Sequence, residues 1–455
     1  MHLSTSRLAL ALSLAFAGPA TWAQAAITDG SSNTIVAGER GAGSLTTSAS
    51  SALTVTQRGA GTATSGGGQT LAVGSALDAT ILRGTVNALG VASGSVTQTR
   101  DANSAVTSAQ TLTIGSVSGT LDATQVTADG ALQGSLTQTS RRGGPVRGSE
   151  GQRVDIGSLS DAGGGNLAAQ GRVLGASTTI TQDHSGQTQL LRVGSIGSST
   201  LLSGNASGLL SGTVVQSGNG ASGANALQAI DIGSIGGSQA NAVATVGVVD
   251  GRITQAMVLG NDREQRIAVA AVRNADAAGR ITAGGTVRGE LSQTGTADAL
   301  VRVGAVEGGS PGTVTTQGSF SGSAITQNSS SAGLQRVDIA AALAISGQAT
   351  TQGDVTGRIA QNLATVGARD AVQVASVGSA EGTRGSVATR ALLSGDIAQT
   401  SRVGLSSDQQ VLVGSVLNTG TLTVRTDATV TGNVTQTADG VGERQRAIFG
   451  GAVGR

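Results

Sequence analysis

The sequence predicts an all-β repeat protein, a β-solenoid of about eleven units of roughly 38 residues built from short, parallel, stacked strands. Three observations predict it. A strand-like piece that closes on glutamine returns down the chain, a second piece that opens on glutamine returns beside it, and the composition is too poor in aromatic residues for one large globular core.

The first piece reads GSVTQ in its fullest form (94–98). Its closing residues are Gln57, Gln98, Gln138, Gln182, Gln216, Gln255, Gln293, Gln327, Gln361, Gln399 and Gln436, and two positions before each stands Val, Ile or Leu. Glycine stands four before in eight of the eleven copies. Apolar residue and glutamine two apart share one face of a strand.

The second piece opens on Gln69, Gln110, Gln152, Gln189, Gln228, Gln265, Gln335, Gln409 and Gln445, as in QTLTIGSV (110–117). Two further copies, ALVRVGAV (299–306) and DAVQVASV (370–377), are read with Ala299 and Asp370 in the leading place. Apolar residues sit at offsets +2, +4 and +7, with Gly or Ala at +5. Alternation over 0, +2 and +4 is a strand, and the small residue marks a kink that shifts the phase.

Glutamine on the apolar face of a strand needs a partner, because a buried amide without one costs about 1–3 kcal/mol. Stacking supplies it. If copies lie in parallel register about 4.8 Å apart, each side-chain NH2 meets the carbonyl of the glutamine one rung away. All twenty glutamines above are therefore expected to form structural ladders. At the outward offset +3, successive copies carry Asp155, Arg192, Asp231, Ala268, Arg302 and Asp338, with no like charges adjacent, as cross-strand neighbours prefer.

A third, looser stretch completes each unit, as in GTLDATQVTADGALQ (119–133), and insertions such as RRGGPVRGSEG (141–151) are expected to loop out. One or two rungs per unit both fit, giving a rod on the order of 50 Å or twice that. Residues 1–25 read as a signal peptide: Arg7, then the apolar run Leu8 to Phe16, then Ala23-Gln24-Ala25 before the cleavage point. Residues 26–50 read as a cap or linker and 51–455 as the repeat region. No later stretch approaches the roughly 20 apolar residues of a membrane helix, and no barrel-like segment follows the repeats, so export is expected to depend on other proteins.

Composition narrows the function. The chain has three Phe, one Trp and no Tyr, and Phe16 and Trp22 lie in the expected leader. Glycine at 72 residues points to many turns. With no cysteine in an exported protein, disulfides cannot be the staple. The basic and acidic residues, 28 and 27, nearly balance, and every basic one is arginine, so nothing favours nucleic acid or an anionic membrane as partner. Without lysine the Gly-rich stretches cannot be phosphate loops, and no calcium repeat or cofactor motif is present. His184, in TQDHSGQ, reads as a solvated loop residue. Asp155, Asp231 and Asp338 share a face on which acidic pairs could cleave polysaccharide, but they read better as members of a solvated charge ladder. The Thr pairs at 97 and 99 and at 111 and 113 suit strands, and also a flat hydroxyl face.

LTVTQRGAG (53–61) and VVQSGNGASGANALQ (214–228) resemble curlin repeats, and the glutamine-laddered, aromatic-poor character is similar to holdfast anchor proteins of stalked bacteria. The extra stretch in each unit and the usual lack of a central Asn depart from the curlin pattern. The resemblance implies adhesion or matrix anchoring at the cell surface, with amyloid-like stacking and self-association through end rungs. Partners are then expected to be a surface polysaccharide or outer-membrane anchoring and secretion proteins. A polysaccharide-binding or polysaccharide-degrading solenoid is the alternative.

Overall fold

The computed structural model describes residues 22–28, 33–37 and 45–454, apart from 61–68, 78–80, 83, 103–108, 120, 143–150, 185–187, 220–226, 240, 259–263, 276–278, 310–311, 331–332, 365–370, 403–405, 418–419 and 421–422. Every regular element among them is a strand, and every pairing between strands is parallel. The protein is a β-solenoid. One repeat makes one rung, because each glutamine of the first piece is in register with the next: Gln98 with Gln138, Gln138 with Gln182, and so on to Gln436. The shorter rod, on the order of 50 Å, follows.

The unit from 151 shows why the chain turns where it does. Gly151–Ile156 is the ladder strand, with Gln152, Val154 and Ile156 inward. Gly157 then takes φ +57°, and a Cβ there would stand 1.7 Å from the carbonyl oxygen of Gln170, so in this rung glycine suits the +5 position in both conformation and space. The kink reverses the inward and outward sense, and the short strand Leu159–Ser160 follows. Gly163–Val173 is the long strand and Thr179–His184 closes the rung. In earlier rungs the long and closing strands are one, as in Thr85–Ala102 and Leu121–Arg142.

The kink pinches the interior into two apolar columns. The larger runs between ladder and closing strands, through Val154, Ile156, Val173 and Ile180. The smaller runs behind the short strand, through Leu159, Ala162, Leu167 and Ala169. At the waist a second glycine of the long strand faces the kink: a Cβ on Gly171 would stand 2.1 Å from the amide nitrogen of Gly194. The third stretch thus has a signature after all, a waist glycine at Gly90, Gly130, Gly171, Gly208, Gly247, Gly285, Gly318 and Gly353, with alanine at the same register position in Ala49, Ala391 and Ala428. Ala270 and Ala340 occupy the kink at φ +51° and +55°, where other rungs have glycine.

The ladder strands form a twelve-stranded sheet that begins with Asn33–Ala37, and Trp22–Thr28 pairs with Ala52–Arg58. Described residues within 26–50 therefore continue both sheets, and the boundary at 51 falls inside the strand Leu45–Ala60. The expected leader lies outside the described residues through 21, and the strand Trp22–Thr28 crosses the expected cleavage point. Of the 141–151 insertion, Arg141 and Arg142 end a strand, 143–150 lie outside the described residues, and Gly151 begins the next strand. No helix among the described residues is long and apolar enough to cross a membrane.

Candidate functional site

Two longitudinal features concentrate the polar chemistry. The first is the pair of glutamine columns, which lie side by side where each closing strand hands over to the next ladder strand. In the closing-strand column Gln98 Nε2 donates to Gln57 Oε1 at 2.6 Å, Gln138 to Gln98 at 2.7 Å and Gln182 to Gln138 at 2.9 Å. Gln216, Gln255, Gln293, Gln327, Gln361, Gln399 and Gln436 continue it, each donating to the glutamine one rung toward the N-terminus at 2.8–2.9 Å. The column is unbroken and has one polarity.

The second column runs through Gln69, Gln110, Gln152, Gln189, Gln228 and Gln265 in the same way. It stops at Ala299, which is in register with Gln265 and Gln335. It resumes from Gln335 through Gln409 to Gln445, with a member the sequence reading did not place: Gln373 Nε2 donates to Gln335 Oε1 and Gln373 Oε1 accepts from Gln409 Nε2, both at 2.8 Å. Gln373, not Asp370, leads that copy, and Asp370 lies outside the described residues. Both frames satisfy the apolar offsets, but only QVASVGSA (373–380) also has glutamine at 0 and glycine at +5.

The columns also bond to each other's backbones. Gln110 Nε2 reaches Gln98 O at 3.0 Å, and Gln138 Nε2 reaches Gln110 O at 3.2 Å, so the amides seal the narrow edge of the solenoid. This is why a buried amide is tolerated at every rung. Two smaller ladders were missed. Ser116, Ser158, Ser195 and Ser234, after the kink, each accept from the backbone amide one rung on, and Thr245, Thr316, Thr351 and Thr389 donate to the kink carbonyl of the following rung. The recurring Ser at +6 was the available signal for the first.

The second feature is a charged crease between the outer face of the ladder sheet and the short strands. The register stacks Asp155, Arg192, Asp231, Ala268, Arg302 and Asp338 as expected, but the face is not solvated: Asp155, Asp231 and Asp338 are 2%, 8% and 0% exposed. The physical reason is the kink, which folds the short strand back over offset +3. Thr113 is buried there too, and so falls out of any open hydroxyl face, whereas Thr97, Thr99 and Thr111 are half-buried.

Ion pairs fill the crease. Arg153 pairs with Asp155, Arg266 with Asp231 and Glu264, Arg302 with Glu307 and Asp338, and Arg336 with Asp338 and Glu381. Burial works to raise the pKa of Asp231, but Arg266, Arg273 and Arg192 outweigh it and hold the carboxyl below its ordinary value. Burial likewise opposes the charge on Arg336, yet Asp338 and Glu381 push its pKa up. The three aspartates do not form an acid pair across one bond. Arg192 lies between Asp155 and Asp231, two rungs separate Asp231 from the Arg302 that precedes Asp338, and each carboxylate is spent on arginine.

His184 is 2% exposed at the end of a closing strand, which corrects its reading as a solvated loop residue: the ladder register of Thr179–His184 carries it inward. Among the described residues no cluster of three His, Asp or Glu is placed to hold a metal. Comparison with protein-family models, curated proteins and solved structures returns no match.

Proposed function

We propose that the chain is an exported structural protein of a bacterial surface, a stiff rod that serves as adhesin, holdfast or matrix anchor. The observation that carries this reading is the closing-strand glutamine column, unbroken from Gln57 to Gln436. The chain spends its recurring polar residues on holding successive rungs in one register. What remains for other molecules is the flank, where outward rows such as Thr313, Thr315, Gln317 and Ser319 stack on Gln348, Thr350, Gln352 and Asp354. Rows repeating every 4.8 Å or so suit multivalent contact with an extended polymer, each contact weak and their sum strong.

The curlin-like motifs and the leader support the same reading, as does a frame that needs no disulfide. Degradation of polysaccharide through Asp155, Asp231 and Asp338 has no such support, since those carboxylates are buried in ion pairs. Deleting the gene and measuring cell retention under flow tests the proposal. Retention is expected to fall, and antibody to the repeat region should label intact cells. The exported chain should show almost no absorbance at 280 nm, because the leader carries Trp22, the single tryptophan. Unchanged retention together with unlabelled cells would sink the reading.

A further inference from the structure

The charged crease contains one place where its pairing fails. Gly197 and Gly236 are in register on adjacent rungs, at the short-strand position that Ser160 fills one rung earlier and Arg273 one rung later. Two adjacent rungs without a side chain leave a notch, its floor two glycines about 4.8 Å apart. Arg192 lies over the first: a Cβ on Gly197 would stand 3.0 Å from its Cζ and Nη2. Arg273 reaches back over the second, with Nη2 at 3.4 Å from a Cβ on Gly236.

Neither guanidinium has a hydrogen-bond or ion-pair partner among the described residues, and Arg192 Nη1 is fully buried without one. The carboxylate beside them is already engaged, as Asp231 takes Arg266 Nη2 at 3.2 Å and Nε at 3.4 Å. Asp155 is in register with Arg192 and Glu307 with Arg273, but Asp155 pairs with Arg153 and Glu307 with Arg302, so neither carboxylate is bonded to the notch arginines. Elsewhere in the crease each arginine meets a carboxylate; Arg302 and Arg336 each meet two. A buried guanidinium donor left without an acceptor is costly, and an oxyanion held by two of them gains paired, charge-assisted hydrogen bonds. Glycine at both floor positions is what lets the two guanidinium groups lie along the notch.

We propose that this notch, formed by Arg192 and Arg273 over Gly197 and Gly236, binds a single oxyanion group. Its source as an acidic group on a surface polysaccharide rests on the function proposed above; the anion chemistry itself does not.

The test uses the full exported chain. Calorimetric titration with sodium sulfate, against sodium chloride of matched ionic strength, should give one site per chain, and immobilised polyuronate should retain the protein. In the double variant Arg192→Gln, Arg273→Gln, sulfate affinity should fall about tenfold or more, the equivalent of one lost charge-assisted hydrogen bond. Arg252→Gln, which removes an exposed arginine of a closing strand, should leave it unchanged. Both arginines help keep the buried Asp231 ionised, so the double variant should melt below the wild type yet stay folded, which its circular dichroism spectrum checks before titration. Gly197→Ala, whose new Cβ displaces the Arg192 guanidinium, gives an independent loss. Absence of a sulfate site in the wild type, or equal weakening by Arg252→Gln, overturns the proposal. Sulfate binding without retention on polyuronate supports the notch and overturns the polysaccharide as its source, while cell retention under flow tests the surface function separately.

Discussion

The glutamine columns and the charged crease run parallel along the same rod, one on each side of the ladder sheet, and solve the problem of buried polarity in opposite ways. In the columns every rung but that of Ala299 carries the same neutral group in both, donor and acceptor at once, so each copy satisfies the next and the pattern tolerates any number of repeats. In the crease the groups are single-purpose, donor or acceptor, and must alternate. Alternation needs different residues in neighbouring units, and the crease accordingly varies from Thr113 through Asp155, Arg192 and Asp231 to Ser376. Self-complementary chemistry repeats; paired-charge chemistry has to be composed rung by rung. The proposed oxyanion notch falls where two arginines, Arg192 and Arg273, stand beside carboxylates already paired elsewhere.

The sharpest way to break the comparison is to delete one member of each. Asp338→Ala leaves Arg302 with Glu307 alone and Arg336 with Glu381 alone, and removal of a fully buried carboxylate from between two arginines approaches the cost of breaking a buried pair, about 3–5 kcal/mol. Gln255→Ala orphans Gln216 Oε1, while Gln293 Nε2 keeps the backbone oxygens of Gln265 and Leu300; with the cavity left behind and no charge exposed, it should cost about 2–3 kcal/mol. Solenoid stability is a sum over neighbours. Hydrogen exchange should therefore show the loss confined to a few rungs in both variants, with the larger drop in protection around Asp338. A greater effect from Gln255→Ala would reverse the ranking of charge over amide.

Acid makes the same comparison without mutation. The folded-state pKa of Asp231 is depressed, so the stability it contributes is present above the ordinary carboxylate pKa of about 4 and is lost as pH falls through the depressed value. The amides do not titrate. Lowering the pH from neutral to about 3 should loosen exchange protection in the short strands beside Asp231 while the closing strands hold theirs. Uniform loss across both, or a first loss in the glutamine edge, would show that the crease is not the acid-labile part.

The same contrast decides what was legible in the sequence. Self-complementary columns must recur, so Gln57 through Gln436 stood out from spacing alone, and with them the fold. The crease was misread as a solvated face because alternation within one strand says which side a residue takes, not what later covers it. Covering came from Leu159–Ser160, two residues beyond the kink. Gln373 was lost to a frame error that apolar offsets alone could not resolve. The notch was illegible for another reason: Gly197 and Gly236 look like ordinary turn glycines until register sets them side by side.

The smallest effect concerns the two glutamine columns themselves. Ala299 interrupts the second one, so Gln335 Nε2 finds no amide oxygen one rung back and bonds instead to the backbone oxygens of Gln327 and Asn362, at 3.1 and 2.9 Å. Gln265 Oε1 loses the donor that every other internal member receives. Ala299→Gln restores both, in a position already shaped for that side chain on neighbouring rungs. Each restored amide bond is worth about 1 kcal/mol, offset by about 1 kcal/mol or more of side-chain ordering, so the net gain should be about 1 kcal/mol or less. Denaturant midpoints of the variant and the wild type measure it. A destabilised variant would mean that the gap at Ala299 is filled by packing rather than merely unfilled, and that the second column is two separate ladders instead of one with a missing step.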